Sequence, residues 1–203
     1  MTFILGKKIG MTRIFSEDGE VIPVTVVEAG PVTVVQVKTE ETDGYRAVQV
    51  GYGNNKKNKK PVAGHLKDLS KGLRHLKEFI IKDEVSDLKR GDKIDVSVFG
   101  VGDTVKVSGI SKAKGFQGVV KRHGFHGAPA SHGHKKMLRR PGSIGQRFPQ
   151  HTLKGMRMAG RMGGTRITVR ELKVSSIDKE NNIMAISGAV PGRKGTLLEI
   201  VKM

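Results

Sequence analysis

The sequence predicts a mainly β protein: a barrel or sandwich body with a few short helices, and a long irregular basic extension inserted between its strands. Three observations predict it. Short runs rich in Val, Ile and Thr alternate with Gly, Pro and Asp turns over the first hundred residues and return near the end. Between Asp103 and Glu171 there is no acid, while residues 111–170 carry six Lys and eight Arg. Through most of that window Gly or Pro recurs every few residues, and no helical or strand period is sustained. The chain therefore divides into residues 1–110, the first part of the body, 111–164, the arm, and 165–203, the closing strands.

Element by element, residues 2–5 and 11–15 are short strand candidates. The SEDGE turn at 16–20 leads into a strand at 21–28, Gly30-Pro31 breaks it, and 32–38 resumes it. Asp43-Gly44 is a turn before a strand at 45–52, and GNNKKNKK at 53–60 is a polar basic loop. Residues 61–72 form a short helix with Pro61 near its start and Leu66 and Leu69 on one face. Residues 79–81 are apolar again, and Lys89-Arg90-Gly91-Asp92 is a turn. Ile94, Val96 and Val98 alternate with polar residues, predicting a half-buried strand, and Val105 and Val107 repeat the alternation. GFQGVVKRH at 115–123 is compatible with a helical turn or two. Beyond the arm, Ile167 and Val169 alternate, residues 178–182 turn the chain, and 183–190 and 196–202 are strands.

The charge sets the class of partner. The chain has 203 residues with 37 Lys and Arg against 19 acids, a net +18, of which the 111–170 window supplies +14. A polyanion is implied, and nucleic acid is the commonest. There is no cysteine, which excludes disulfides and thiolate metal sites. Lys7, Lys8 and Arg13 interrupt the apolar N-terminus, and no apolar run is long enough for a membrane span, so a soluble intracellular protein is expected.

The arm also limits the chemistry. His123, His126, His132 and His134 lie close in sequence, but no Cys or acid completes a site and Lys121, Arg122, Lys135 and Lys136 repel a cation. Base stacking or phosphate contact suits these rings better, and no metal or cofactor is expected. The arm has no carboxylate to serve as general base, and the acid pairs Glu17-Asp18 and Glu40-Glu41 sit in apparent turns, so nothing points to a catalytic residue. GRMGG at 160–164 only loosely resembles a phosphate loop, and its glycines are better read as permitting close backbone approach. Met137, Met156, Met158 and Met162 suit irregular gaps or the faces of bases. Tethering at both ends favours folded RNA with crevices over a smooth duplex. A nucleic-acid-acting enzyme with a basic channel is the alternative, and a DNA-compacting protein a third reading.

Several blocks together resemble one family. GKKIGMTRIF at 6–15, DGYRAVQVGYG at 43–53 and KPVAGH at 60–65 are followed in order by SKAKGFQGVVKRHGF at 111–125, SHG at 131–133, RRPGSIG at 139–145, KGMRMAGRMGG at 154–164 and GAVPG at 188–192. Their order and spacing resemble the bacterial large-subunit ribosomal protein L3 (uL3) family from end to end. The resemblance implies a β-barrel body of the kind shared with translation factors, lying on the subunit surface. It implies an extension through large-subunit ribosomal RNA toward the peptidyl transferase centre, and binding near the 3′ end of that RNA early in assembly. It also implies neighbours including ribosomal proteins L14 and L19, one copy per ribosome, no membrane, and a cytoplasmic location.

On this reading the RNA-binding residues are Lys112, Lys114, Lys121, Arg122, His123, His132, His134, Lys135, Lys136, Arg139, Arg140, Arg147, Lys154, Arg157 and Arg161. The tip is Gln146, Arg147, Phe148, Pro149, Gln150 and His151, with Gly142, Gly145 and Gly155 permitting the reversal. Phe148 has little local core to join, so stacking on a base is its expected use, against packing onto Met156 or Met158. Some members of the family carry a methylated Gln two residues after the Gln of GSIGQ. Here Phe148 stands there and the segment to KGMRMAG is one residue shorter, so the modification is not carried over and Gln146 and Gln150 stay unassigned candidates.

Overall fold

A computed structural model describes residues 2–67, 69, 72–81 and 88–203. In chain order it contains β1 (Phe3–Phe15), β2 (Val21–Ala29), β3 (Val32–Lys38), α1 (Glu40–Asp43), β4 (Ala47–Asn54), α2 (Lys60–His65), β5 (Leu73–Ile80) and β6 (Lys93–Ile94). It continues with β7 (Thr104–Ile110), β8 (Phe116–Gln117), α3 (Val119–His123), β9 (Gly160–Arg161), β10 (Arg166–Asp178), β11 (Ile183–Ser187) and β12 (Leu197–Lys202). The protein is mainly β. It separates into two compact units: Met1–Ile110 with Arg166–Met203, and Ser111–Thr165.

In the first unit six strands pair in a closed ring, in the order β1, β12, β7, β10, β11, β2. Every neighbouring pair is antiparallel, and β1 closes the ring by pairing with both β12 and β2. Closure abolishes edges, and alternate side chains turn inward. Val105 and Val107 of β7, Met184 and Ile186 of β11 and Leu198 and Ile200 of β12 are all fully buried. A second sheet, ordered β5, β4, β3, β6, adds Val32, Val34, Val48 and Val50 to the same core. The Phe3 and Phe79 rings stack at 4.5 Å within it. Each such side chain contributes about 1.5–3 kcal/mol on leaving water.

Several expectations need correction. The two N-terminal strand candidates are one strand, β1. Gly6 and Lys8 look like interruptions in the sequence, but both serve the pairing. A Cβ at Gly6 would lie 2.6 Å from Val27 Cγ1, so glycine lets β2 approach. Buried Lys8 donates from Nζ to the carbonyls of Val190 (2.9 Å) and Gly192 (3.3 Å). The strand expected through Ile94, Val96 and Val98 stops at Ile94; residues Val96–Val98 form a 3-10 turn that leaves Val98 exposed and buries Phe99. The turn before β4 begins as a single helical turn, α1, closed by Gly44 in the left-handed region. Helix α2 ends at His65, with Leu66 buried beside Val35 and Leu73 and Leu69 half-buried against them. Asp68, Ser70 and Lys71, in the second half of the expected helix, lie outside the described residues.

Candidate nucleic-acid interface

The connection between β7 and β10 is the second unit, and those two strands pair at Ile110 and Arg166. Its outgoing and returning chains begin as a backbone-bonded stem. The Ser111 N–H donates to the Thr165 carbonyl (2.9 Å), Lys114 to Met162 (2.9 Å), and Met162 to Gly115 (2.9 Å). Strands β8 and β9 then pair Phe116 with Arg161 and Gln117 with Gly160. Gly163 sits at φ +71°, and a Cβ there would lie 2.1 Å from the Lys112 carbonyl oxygen, so only glycine allows this approach.

Beyond the stem stands α3, a short helix with Lys121, Arg122 and His123 in its last turn and Gly124 as a left-handed cap. Cations there complement the partial negative charge of the helix end. The helix is clamped to the returning chain. Arg122 Nη1 donates to the Met158 carbonyl (2.7 Å), and His123 Nε2 lies 3.0 Å from the same oxygen. The Arg157 guanidinium is 5.9 Å from the Phe125 ring centroid, and the His123 and Phe125 rings are 6.0 Å apart.

From there the chain is held by its own backbone. His134, Met137 and Arg140 N–H groups reach back to Ser131, His134 and Met137 carbonyls at 3.0–3.4 Å. His132 and Arg139 occupy the left-handed region at φ 57° and 61°. Gly142 and Gly155 adopt positive φ on either side of the tip; Gly145 does not, so the reversal uses two of the three glycines expected. Ser143 Oγ donates to the Gly145 carbonyl at 2.7 Å.

Burial separates this unit from the other. Val119 is its one buried residue, and every residue from 129 to 155 is exposed. Of the RNA-binding candidates, Lys112, Lys114, Lys121, His132, His134, Lys135, Lys136, Arg139, Arg140, Arg147, Lys154, Arg157 and Arg161 are exposed. Arg122 and His123 are half-buried, and their polar atoms meet a carbonyl of the arm itself. All six tip residues are exposed, Phe148 at 65%. The sequence reading missed the Phe125–Arg157 contact and the clamp at Met158, because both join residues more than thirty positions apart with no shared motif. Among the described residues no group of His, Asp or Glu is placed to hold a metal ion.

An extended surface of guanidinium, ammonium and imidazole groups without a carboxylate suits closely spaced phosphates, and exposed apolar side chains between them suit bases. The family model described as ribosomal protein L3 matches residues 83–190. The chain belongs to the ribosomal protein L3 family. It is 49% identical over 201 residues to the large ribosomal subunit protein uL3 of Natranaerobius thermophilus, covering 98% of this chain and 95% of that one. It is 51% identical over 202 residues to the uL3 protein of Nostoc sp., again covering 98% and 95%. The Chloroherpeton thalassium uL3 protein is 49% identical over 208 residues, covering 99% of both chains.

Proposed function

We propose that this member of the L3 family is a structural constituent of the large ribosomal subunit in the cytoplasm, and that residues 111–164 are its RNA-penetrating arm. It partners large-subunit ribosomal RNA and ribosomal proteins, and it is not an enzyme. The protein binds near the 3′ end of that RNA, helps nucleate assembly, and sends the arm toward the peptidyl transferase centre. One copy serves each ribosome, with L14 and L19 among its neighbours. The observation that carries the arm's role is the exposed stretch from 129 to 155, which holds cations, no acid and no buried side chain. Such a segment leaves its charges for a polyanionic partner to neutralise.

Two experiments test this. In a competition assay, folded fragments of large-subunit ribosomal RNA should displace duplex DNA, and log K should fall against log salt with a slope of about −4 to −9 for six to ten neutralised phosphates. Equal affinity for both nucleic acids, or indifference to salt, would defeat the arm's role. Shortening residues 146–151 should leave the protein incorporated stoichiometrically into large subunits but alter single-turnover peptidyl transfer or the binding of drugs that act there. Normal incorporation with both measurements unchanged would reduce the tip to filler.

A further inference from the structure

A concavity in the arm has distinctive wall chemistry. A cleft of about 410 Å³ lies between the loop after α3, the segment from Met137 to Gly142, and Arg157. That volume is within the usual span of small-ligand sites, about 300–1,000 Å³. Its walls include Phe125, His126, Met137, Arg140, Pro141 and Arg157. Three flat rings (those of His123, Phe125 and His126), a thioether and two guanidinium groups line a space whose walls include no carboxylate. Phe125 is not core: it is half-buried, with the His123 ring and the Arg157 guanidinium beside it.

The walls are also held in place without a ligand. A Cβ on Gly127 would lie 3.0 Å from the Arg139 backbone nitrogen, so the two loops meet backbone to backbone at a position with φ +76°. Arg140 Nη1 lies 3.9 Å from Met137 Sδ, which keeps both on the same wall. His123 is fixed by its contact with the Met158 carbonyl.

We propose that this cleft is a socket for a single unstacked base of RNA, lying against Phe125 and Met137, with the adjoining phosphates on Arg140 and Arg157. Aromatic and guanidinium planes are the common partners of splayed-out bases, and a preformed wall lowers the ordering cost of capture. The socket rests on the RNA-binding reading of the arm and adds to it a base-dependent component, where the rest of the arm reads phosphate.

The test uses the full-length protein and two 12-nucleotide single-stranded RNAs. One carries a central 2-aminopurine, and the other an abasic ribose at that position. Phe125→Leu, which keeps apolar bulk and loses the ring, should weaken binding of the base-bearing RNA about five- to a hundredfold and abolish the fluorescence change on binding. Affinity for the abasic RNA should stay within about twofold, and Phe125→Trp should restore the base-bearing complex. Gly127→Ala, which forces the walls apart from a different residue, should show the same selective loss. Equal loss for both RNAs, or no loss for either, overturns the socket while leaving salt-sensitive binding intact. Loss of the fluorescence change on adding millimolar adenosine monophosphate, with the RNA still bound, would assign the cleft to free nucleotide and overturn the RNA assignment. Failure of the unmodified protein to bind either RNA at low salt would instead remove the RNA-binding reading on which the socket depends.

Discussion

The two units of this chain solve the problem of order in opposite ways. In the body, burial is deep and polar groups are answered internally. Among the described residues no buried side-chain nitrogen or oxygen lacks a partner. Lys202 reaches Asp103 at 2.6 Å, Lys77 and Arg166 converge on Glu199, and Lys38 meets Glu78 at 3.0 Å. In the arm, Val119 alone is buried, and there is no acid for any cation to meet. What shapes the arm is backbone: a ladder at its stem, reverse turns beyond, and glycines at positive φ. The lesson is that a cationic segment can have a defined path without a core, provided its side chains are left for a partner to neutralise.

The largest expected effect breaks the comparison at its root. Ile186 is fully buried in the body, and Ile144 of the arm is 45% exposed. Ile186→Ala should cost about 2–5 kcal/mol through lost burial and the cavity left behind. Ile144→Ala should change stability by less than about 0.5 kcal/mol. Urea unfolding of both variants decides it, and comparable losses would mean that the arm has a core of its own.

A second prediction concerns the arm's backbone. Gly163→Ala introduces a Cβ where the Lys112 carbonyl already stands, at a φ that alanine resists. The local cost is about 1–3 kcal/mol. Amide exchange at Lys114 and Met162 should accelerate, because their N–H groups bridge the stem. The body's urea midpoint should not move. If it falls with the stem, the two units are energetically one.

Much of the body was legible because its signals are local. Alternation at Val105 and Val107, and turn residues such as Asp178 to Asn182, depend on neighbours two or three positions away. The continuity of β1 was not legible: the reason for Gly6 is Val27, and the reason for Lys8 is a pair of carbonyls some 180 residues on. Val98 misled because a hydrophobic residue in phase with Ile94 and Val96 carries no mark of the turn that takes it out of phase. In the arm, composition showed where the cations are. It could not show that Arg122 and His123 also brace Met158, or that residues 125, 137–142 and 157 share a cleft, because carbonyl partners and backbone turns leave no residue pattern.

A third, smaller effect sharpens the electrostatic side. Neutralising Arg139 and Arg140 together should flatten the salt slope of RNA binding by about one to two units. Over a fourfold change in salt that is roughly a four- to sixteenfold difference in sensitivity. Arg46, which meets Glu40 at 3.3 Å in the body, supplies the control, and its replacement should leave the slope unchanged. A flatter slope from Arg46 than from the arginine pair would contradict the division of labour between the units.

The smallest effect concerns acid. The arm has no carboxylate, so any carboxylate contribution to acid destabilisation must come from the body. Glu199 on β12 is the best placed to show it. Burial pushes its carboxyl upward, but hydrogen bonds and charge from Arg166 and Lys77 outweigh burial and hold it below the ordinary value. Asp103 is lowered as well, by Lys202 first and then by the Gly100 N–H. A carboxylate depressed in the folded state stabilises fully above its unfolded value, about 4.3 for Glu. That stabilisation is lost as pH falls through the lower folded value. Arg166 and Lys77 are roughly half exposed, which screens the pairs and limits the contribution of Glu199 to less than about 1 kcal/mol. Glu199→Gln should therefore be slightly less stable than the unaltered protein at pH 7, and the gap should close between about pH 5 and pH 3. Urea midpoints across that range measure it. A gap that stays constant would show that Glu199 acts by packing rather than charge, and the link it makes between β5 and β12 would then be steric.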